Sequence, residues 1–293
     1  MSTASQLIMN GVIAGGIYAL LAIGFTLIYG ILKIIHFAHG EVFMIGAYVG
    51  WLFHIVLGVN IVVSFIVAMI ACGIVGIVIE KLFYKPLRKK DPINSLIVAL
   101  GLSMFLQSLV MLFFGAQIKS YKIGSAEYII KVFGASVTPL QALVIIVSIL
   151  LMIVLIFFIK YTKTGKAVRA STDDLEVASV VGINTNHVIS VVFFIGSMLA
   201  GAAGVLYGIE HSLATTMGVA IIIKAFAASI VGGVGKIHGA LVGGFAIGIV
   251  ENVGIWFIPS GYKDAIAFVI LVLMLIFYPN GLFGEKAEEE IRQ

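Results

Sequence analysis

The chain has 293 residues, of which 61% are hydrophobic and only 11% charged. Soluble domains carry roughly 25% charged residues, and a soluble fold this poor in charge would expose large apolar patches. The composition therefore excludes a soluble protein and predicts an all-α integral membrane protein, because a helix satisfies its own backbone groups in lipid. The single cysteine, Cys72, excludes an intramolecular disulfide.

The formal net charge is +4, but the basic residues lie between apolar runs and not along one patterned face. The positive-inside rule explains this distribution, so we predict no nucleic-acid partner. The first residues, MSTASQ, lack a basic region before the apolar stretch, which predicts no cleaved signal peptide.

Taken in chain order, the apolar runs predict a polytopic bundle of about eight to nine membrane-spanning helices without an interdomain linker. The predicted spans are residues 7–30, 42–57, 61–82, 94–114, 139–159, 187–209, 217–234, 235–259 and 265–278. The number depends on whether 217–235 and the interruption at 31–41 each cross the membrane. Residues 115–138 are polar and glycine-containing, which predicts an external loop.

The interruption at 31–41 carries the densest polar cluster of the chain, HFAHGE at 36–41. Irregular backbone at membrane depth is tolerated where it packs in protein or lines a cavity, so we expect a re-entrant or broken helix here. Three interpretations stay open: capping at the membrane surface, lining of a substrate path, or metal binding. The last is disfavoured, because only one carboxylate is near, and we predict no metal site. The path candidates are His36, Phe37, His39, Gly40 and Glu41.

Lys224 is the one lysine deep in a predicted span, within 217–235, where a second broken helix is expected. An ammonium group at that depth is costly. Three interpretations stay open: the Lys224 side chain snorkels or lies in a re-entrant corner, it pairs with Glu210 or Glu251, or it faces the substrate path. We count Lys224 among the candidates for that path.

Two rows of small residues spaced by four predict close helix packing. They comprise Gly196, Ala200, Gly204 and Gly208 in one row, and Gly235, Gly239 and Gly243 in the other.

The longest polar interruption is residues 160–186. Its small and apolar residues recur at helical spacing, which predicts a short cytoplasmic helix capped by Ser171 or Thr172, with Gly182 at its C-terminus. No G-x-x-x-x-G-K-[ST] or G-x-G-x-x-G motif occurs in the sequence, so an energy source is missing. We therefore expect this helix to contact another protein that supplies the energy.

Three stretches together resemble the permease subunits of branched-chain amino acid ABC importers, of the LivH type. They are residues 10–50 with HFAHGE, residues 164–184 (TGKAVRASTDDLEVASVVGIN), and residues 224–252 (KAFAASIVGGVGKIHGALVGGFAIGIVEN). The resemblance implies one permease domain over residues 1–293 in the inner membrane, without a cofactor or enzymatic activity of its own. It further implies a second, related permease in a heterodimer, two cytoplasmic ATPases and an extracytoplasmic binding protein.

The resemblance also places the ATPase-coupling helix at about 164–184. The predicted coupling residues are Arg169, Ala170, Asp173, Asp174, Ala178 and Gly182. Because this helix and the basic cluster at 81–90 lie on one side, we predict an external N-terminus and a cytoplasmic C-terminus.

Three alternatives remain open. The same family includes importers of urea and short amides. An ion-coupled secondary transporter would need ionisable residues in mid-span, and only Lys224, Glu251 and the 36–41 cluster qualify. A membrane enzyme would need histidine, aspartate or glutamate clustered at one membrane face, to which only 36–41 comes near.

Overall fold

The computed structural model describes residues 3–88, 90–121, 129–278 and 281–284. Over these residues the chain forms eleven α-helices and one β-hairpin, which is the polytopic helical architecture that the composition predicts. The α-helices are α1 Thr3–Leu32, α2 His39–Trp51, α3 Ile61–Ile79, α4 Pro92–Phe114, α5 Pro139–Tyr161, α6 Lys163–Asp173, α7 Leu175–Val180, α8 Thr185–Glu210, α9 Met217–Gly232, α10 Ile237–Gly254 and α11 Lys263–Phe277.

Seven helices within the described residues are long and apolar enough to cross a membrane: α1, α3, α4, α5, α8, α10 and α11. The helices at the two remaining predicted spans, α2 and α9, are shorter. α9 has 16 residues, and α2 has 13 residues followed by a π-helical turn, Leu52–Val56. The expected number of eight to nine spans corresponds to these seven helices and the two short ones.

α1 is the central helix of the bundle, with 89% of its most apolar window buried, against 11% for α11 at the periphery. Its small residues let α10 approach closely: a Cβ on Gly11 would lie 2.6 Å from the Ile249 Cα, and one on Gly15 would lie 2.8 Å from the Phe245 Cα. Helices α3, α4, α5 and α11 instead expose large apolar side chains outward, as lipid contact requires.

The small-residue row on α8 packs against three different neighbours. Gly196 faces the Gly24 carbonyl of α1, Gly204 faces the Phe43 carbonyl of α2, and Gly208 faces the Tyr121 ring. Ala200 is fully buried between them in the row. Each position lacks room for a larger side chain, so the row fixes how closely α1 and α2 approach α8.

Only part of the second small-residue row takes part in helix packing. Gly239 and Gly243 of α10 lie against the backbone of α9, at Gly232 and Ala228. Gly235 is not part of this face, contrary to the prediction: it lies in the turn between the two helices with φ of 88°. Its role is to give the turn a left-handed conformation that L-residues adopt with difficulty.

Two further expectations need correction. Residues 217–235 contain no break in the helix, because α9 is continuous from Met217 to Gly232 and ends at Gly233. The predicted external loop contains a β-hairpin, Ile130–Val132 paired with Ala135–Val137. Its turn has positive φ at Phe133 and Gly134, the conformation of a tight hairpin.

The loops, the short helices α6 and α7 and the hairpin lie at the two ends of the bundle. At one end, Arg88 Nη1 donates to Asn186 Oδ1 at 2.7 Å, which joins the basic loop to the start of α8 just after α6 and α7. The C-terminal segment joins the same end through a bond from Leu282 N to Val231 O. At the opposite end, the Gln6 side chain of α1 hydrogen-bonds the hairpin at Ser136.

Candidate functional site

The predicted interruption after α1 is a break in the backbone. α1 ends at Leu32, Lys33 adopts φ of 54°, and α2 begins at His39. His39 packs against Gly24, whose Cβ would lie 3.0 Å from His39 Nε2. The His39 side chain therefore meets α1 roughly 12 Å back from the end of that helix, at a rise of 1.5 Å per residue. The chain re-enters the bundle before the second helix forms.

The N-termini of α2 and α9 meet inside the protein. Gly40 and Gly218 are the second residue of each helix, and a Cβ on either would overlap the backbone of the other. Both helix dipoles thus direct their positive ends to one point. Short helices whose ends meet within a bundle are typical of transport pathways.

Glu41 places a carboxylate at this junction. Its side chain is fully buried, and Oε1 accepts a hydrogen bond from Ser103 Oγ of α4 at 3.1 Å. Oε2 has no hydrogen-bond partner among the described residues and lies 2.6 Å from the Cβ position of Gly218. The positive ends of α2 and α9 stabilise negative charge at this position.

His36 and His39 lie beside the junction, both fully buried, with ring centroids 5.7 Å apart. His36 Nδ1 is 2.7 Å from the Tyr84 hydroxyl, in the π-helical turn Glu80–Tyr84 that extends α3. Phe37 is half-buried against Phe226 of α9. Within the described residues no group of three metal-ligating side chains comes together.

Lys224 lies in an ionic network that joins three helices, buried at Glu251 and exposed at Asp264. Its ammonium pairs with the fully buried Glu251 of α10 and with Asp264 of α11, the second at 2.8 Å. The Tyr18 hydroxyl of α1 lies 3.2 Å from Nζ. Of the two partners that the sequence suggested, Glu251 is correct and Glu210 is not, because Glu210 accepts from Gln141 Nε2. Pairing explains how an ammonium is tolerated in this interior.

The polar stretch 160–186 forms two helices instead of one. Asp174 has an extended backbone and ends α6, and its side chain begins α7: Oδ1 accepts from the backbone N–H groups of Glu176 and Val177 at 2.8 and 2.9 Å. The predicted caps, Ser171 and Thr172, lie inside α6. An aspartate that caps the next helix accounts for the sharp corner.

The six predicted coupling residues differ in exposure. Arg169, Asp173, Asp174 and Gly182 are exposed, Ala170 is half-buried, and Ala178 is buried. Gly182 has φ of 88°, the left-handed conformation expected where a helix ends. Next to them, Val177, Val180 and Val181 are exposed apolar side chains on α7 and its end.

Arg169 and Asp173 also line a cavity of ≈ 290 Å³. Its other walls are the end of α1, at Thr26 and Gly30, and the turn between α9 and α10, at Lys236. Arg169 and Asp173 of α6 therefore share this cavity with the end of α1 and with the turn between α9 and α10.

The sequence matches a known family almost end to end. The family described as branched-chain amino acid transport system, permease component, matches residues 7–275. The chain belongs to this family. It is 38% identical to the high-affinity branched-chain amino acid transport permease LivH of Salmonella typhimurium, over 98% of this chain and 97% of the relative. It is 36% identical to BraD of Pseudomonas aeruginosa over the same shares of the two chains.

The similarity of this permease extends to an archaeal relative and to a solved structure. It is 30% identical to a probable branched-chain amino acid transport permease of Methanocaldococcus jannaschii, over 95% of this chain and 92% of the relative. The structure of PsaBC from Streptococcus pneumoniae in complex with Fab matches with a TM-score of 0.52 and 13% identity, over 95% and 94% of the two chains. That likeness concerns the fold alone.

The candidate site includes four residues that the sequence did not indicate: Tyr18, Tyr84, Ser103 and Asp264. Each belongs to a different helix or turn from the residue it contacts. A tyrosine or a serine within an apolar run is common, so no local pattern distinguishes these positions. Asp264 does not indicate an ion pair either. An acidic residue in the first turn of a helix is already explained by its favourable interaction with the helix dipole.

Proposed function

We propose that this chain is the membrane-spanning subunit that imports branched-chain amino acids across the inner membrane by alternating access. Separate ATPase subunits supply the energy, and the chain itself catalyses no reaction. The observation that carries the proposal is the near-complete alignment with LivH and BraD, named as branched-chain amino acid permeases. The missing nucleotide-binding motifs support a separate energy source.

The assembly in this proposal contains a second, related permease as a heterodimer partner, two cytoplasmic ATPases and an extracytoplasmic binding protein. The whole chain serves as one permease domain, with the N-terminus outside and the C-terminus in the cytoplasm. The basic loop, α6–α7 and the C-terminal segment share one end of the bundle, which supports a common cytoplasmic side.

The coupling contact in this proposal is the α6–α7 corner. Arg169, Asp173, Asp174 and Gly182 are exposed there, and Val177 and Val180 add apolar contact area. The buried Ala178 and half-buried Ala170 hold α7 and α6 against the bundle and do not form the contact itself. A push on this corner reaches α1 through the close approach of Thr172 and Gly30.

The substrate path in this proposal runs beside the junction of α2 and α9. His36, Phe37, His39, Gly40 and Glu41 border it on one side. Lys224 lies on the other face of α9 and holds α10 and α11 in place. Rocking of α9 relative to α2 would open or close the junction, since both helices begin there.

The test is reconstitution of the permease with its genomically adjacent partner subunits in proteoliposomes. We expect uptake of labelled leucine, isoleucine and valine that requires ATP and the binding protein, and that persists when ionophores dissipate the proton gradient. Uptake of urea or acetamide in preference to leucine would favour the alternative substrates. Uphill uptake by this chain alone would contradict the proposal, because it would require ion coupling.

A further inference from the structure

A cationic cavity opens beside the start of α8, at the end of the bundle that carries the basic loop. It has a volume of ≈ 520 Å³ and is formed by α3, its π-helical extension and α8. Its polar wall consists of Lys81, Lys85, Asn184, Asn186, His187 and Ser190. Both lysines are exposed, and neither forms an ion pair within the described residues.

The acidic residue nearest in sequence does not neutralise these lysines. The Glu80 carboxylate is buried, pairs with Arg88, and accepts from Ser190 Oγ at 2.8 Å. Its charge is already compensated, so the cavity keeps an excess of positive charge. An anion is the complementary ligand.

The opposite wall of the cavity is apolar and continues into a groove. Val191 and Phe194 line both the cavity and a second space of ≈ 440 Å³ between α3, α5 and α8. The groove is lined by apolar side chains such as Met69, Leu151, Val154 and Met198, and by the hydroxyl of Thr164. One ligand could therefore place an anionic group at the lysines and a hydrocarbon chain along the groove.

The dimensions fit one leaflet of a bilayer. Along α3, the distance from Lys81 to Met69 is about 18 Å at 1.5 Å per residue. Half of a hydrocarbon core of roughly 30 Å is about 15 Å. A free phosphate would use only the cavity, whereas a lipid would use the cavity and the groove together.

We propose that this paired cavity and groove binds one anionic phospholipid of the cytoplasmic leaflet, its phosphate between Lys81 and Lys85 and an acyl chain against Phe194. Basic pockets between membrane helices on that side are suited to such headgroups. The lipid would join the end of α3 to the start of α8, which directly follows α7. It would thereby stabilise the position of the coupling corner.

The test titrates the purified full-length chain in a zwitterionic detergent with phosphatidylglycerol, and native mass spectrometry counts the bound lipid. We expect one phosphatidylglycerol to bind more tightly than phosphatidylcholine, and the double variant Lys81→Gln/Lys85→Gln to bind it about 30-fold more weakly. The matched control Lys90→Gln/Lys160→Gln removes two exposed cytoplasmic-end lysines outside the cavity and should bind as the parent does. Thermal unfolding of each variant verifies that it is folded.

A second arm separates a lipid from a free anion. Val154→Trp fills the groove from its lipid-facing side without touching the lysines, and should weaken phosphatidylglycerol binding. Glycerol phosphate, the headgroup without chains, should not compete at concentrations where the lipid saturates. Effective competition by glycerol phosphate, equal binding of phosphatidylcholine, or unchanged binding in the lysine double variant would each overturn the proposal.

A third arm tests whether a subunit occupies this surface instead. The titration is repeated on the complex assembled with its ATPase subunits. Retention of the same single phosphatidylglycerol supports the lipid site. Its displacement on assembly would assign the surface to a protein interface and overturn the proposal, while leaving the transport function itself untouched.

Discussion

Two glycines allow α2 and α9 to begin side by side with a carboxylate between them. A Cβ on Gly218 would lie 2.6 Å from Glu41 Oε2 and 2.8 Å from the Gly40 carbonyl oxygen. We therefore expect Gly218→Ala to destabilise the protein by about 1–3 kcal/mol, the usual cost of overpacking. Thermal unfolding of the purified chain in detergent measures this loss. The matched control is Gly101→Ala on α4, where a Cβ would meet no atom of the described residues within 4 Å, and an equal loss there would contradict the argument.

The Lys224–Glu251 pair gives a prediction with an internal control. Removal of one member of a buried ion pair leaves an uncompensated charge and typically costs about 3–5 kcal/mol, whereas replacement of both by apolar groups is often neutral. Lys224→Met should therefore lower the unfolding temperature, and the double variant Lys224→Met/Glu251→Leu should recover part of the loss. If the loss in the double variant equals the sum of the losses in Lys224→Met and Glu251→Leu alone, the two residues are not coupled.

Among the elements, the α6–α7 corner depends most on one side chain. Asp174→Ala removes the cap that holds the first N–H groups of α7 and should destabilise this short helix by about 1 kcal/mol. Asp174→Asn keeps a capping oxygen and should retain function. In the reconstituted complex we expect ATP-driven leucine uptake to fall in the alanine variant and to persist in the asparagine variant. Equal loss in both would assign Asp174 to a charge contact with the ATPase instead.

The long elements could be predicted from the sequence because hydrophobicity determines them. α4, α5 and α8 differ from the predicted spans by at most two residues at either end. The split of 160–186 could not be predicted from periodicity, since α6 and α7 share a similar pattern and only the backbone of Asp174 separates them. The hairpin at 130–137 was missed because each strand has only three residues.

The candidate site was predictable only in part, for a different reason. Glu41 and Lys224 stand out in the sequence because ionisable groups in apolar runs are costly. Their partners depend on which helices become neighbours, and Ser103 and Asp264 lie 62 and 40 positions away (103 − 41 and 264 − 224). Local spacing carries no information on contacts of this range. The proposed lipid site likewise combines α3, α5 and α8, which only the fold brings together.

At the scale of the whole molecule, the helices form a tightly packed centre and a lipid-facing shell. α1 lies at the centre and contacts α8, α9 and α10 closely, so its position is fixed by backbone packing on several sides. α3, α4, α5 and α11 form the lipid-facing shell. The α6–α7 corner contacts the end of α1 and the start of α8 in the core, and also the end of α5 in the shell, so a displacement there would act on both layers.

Contact between the α6–α7 corner and an ATPase requires that this corner lie on the cytoplasmic side of the membrane. Cysteine labelling tests that orientation directly. The native Cys72 is fully buried and should not react with an impermeant maleimide in the folded protein. Ser179→Cys places an exposed thiol on α7, and Ser260→Cys places one between α10 and α11 at the opposite end. We expect labelling of Ser260→Cys in intact spheroplasts, and of Ser179→Cys only after permeabilisation. The reverse pattern would put the coupling corner outside the cell, where no ATPase could reach it, and would exclude the ATP-driven mechanism.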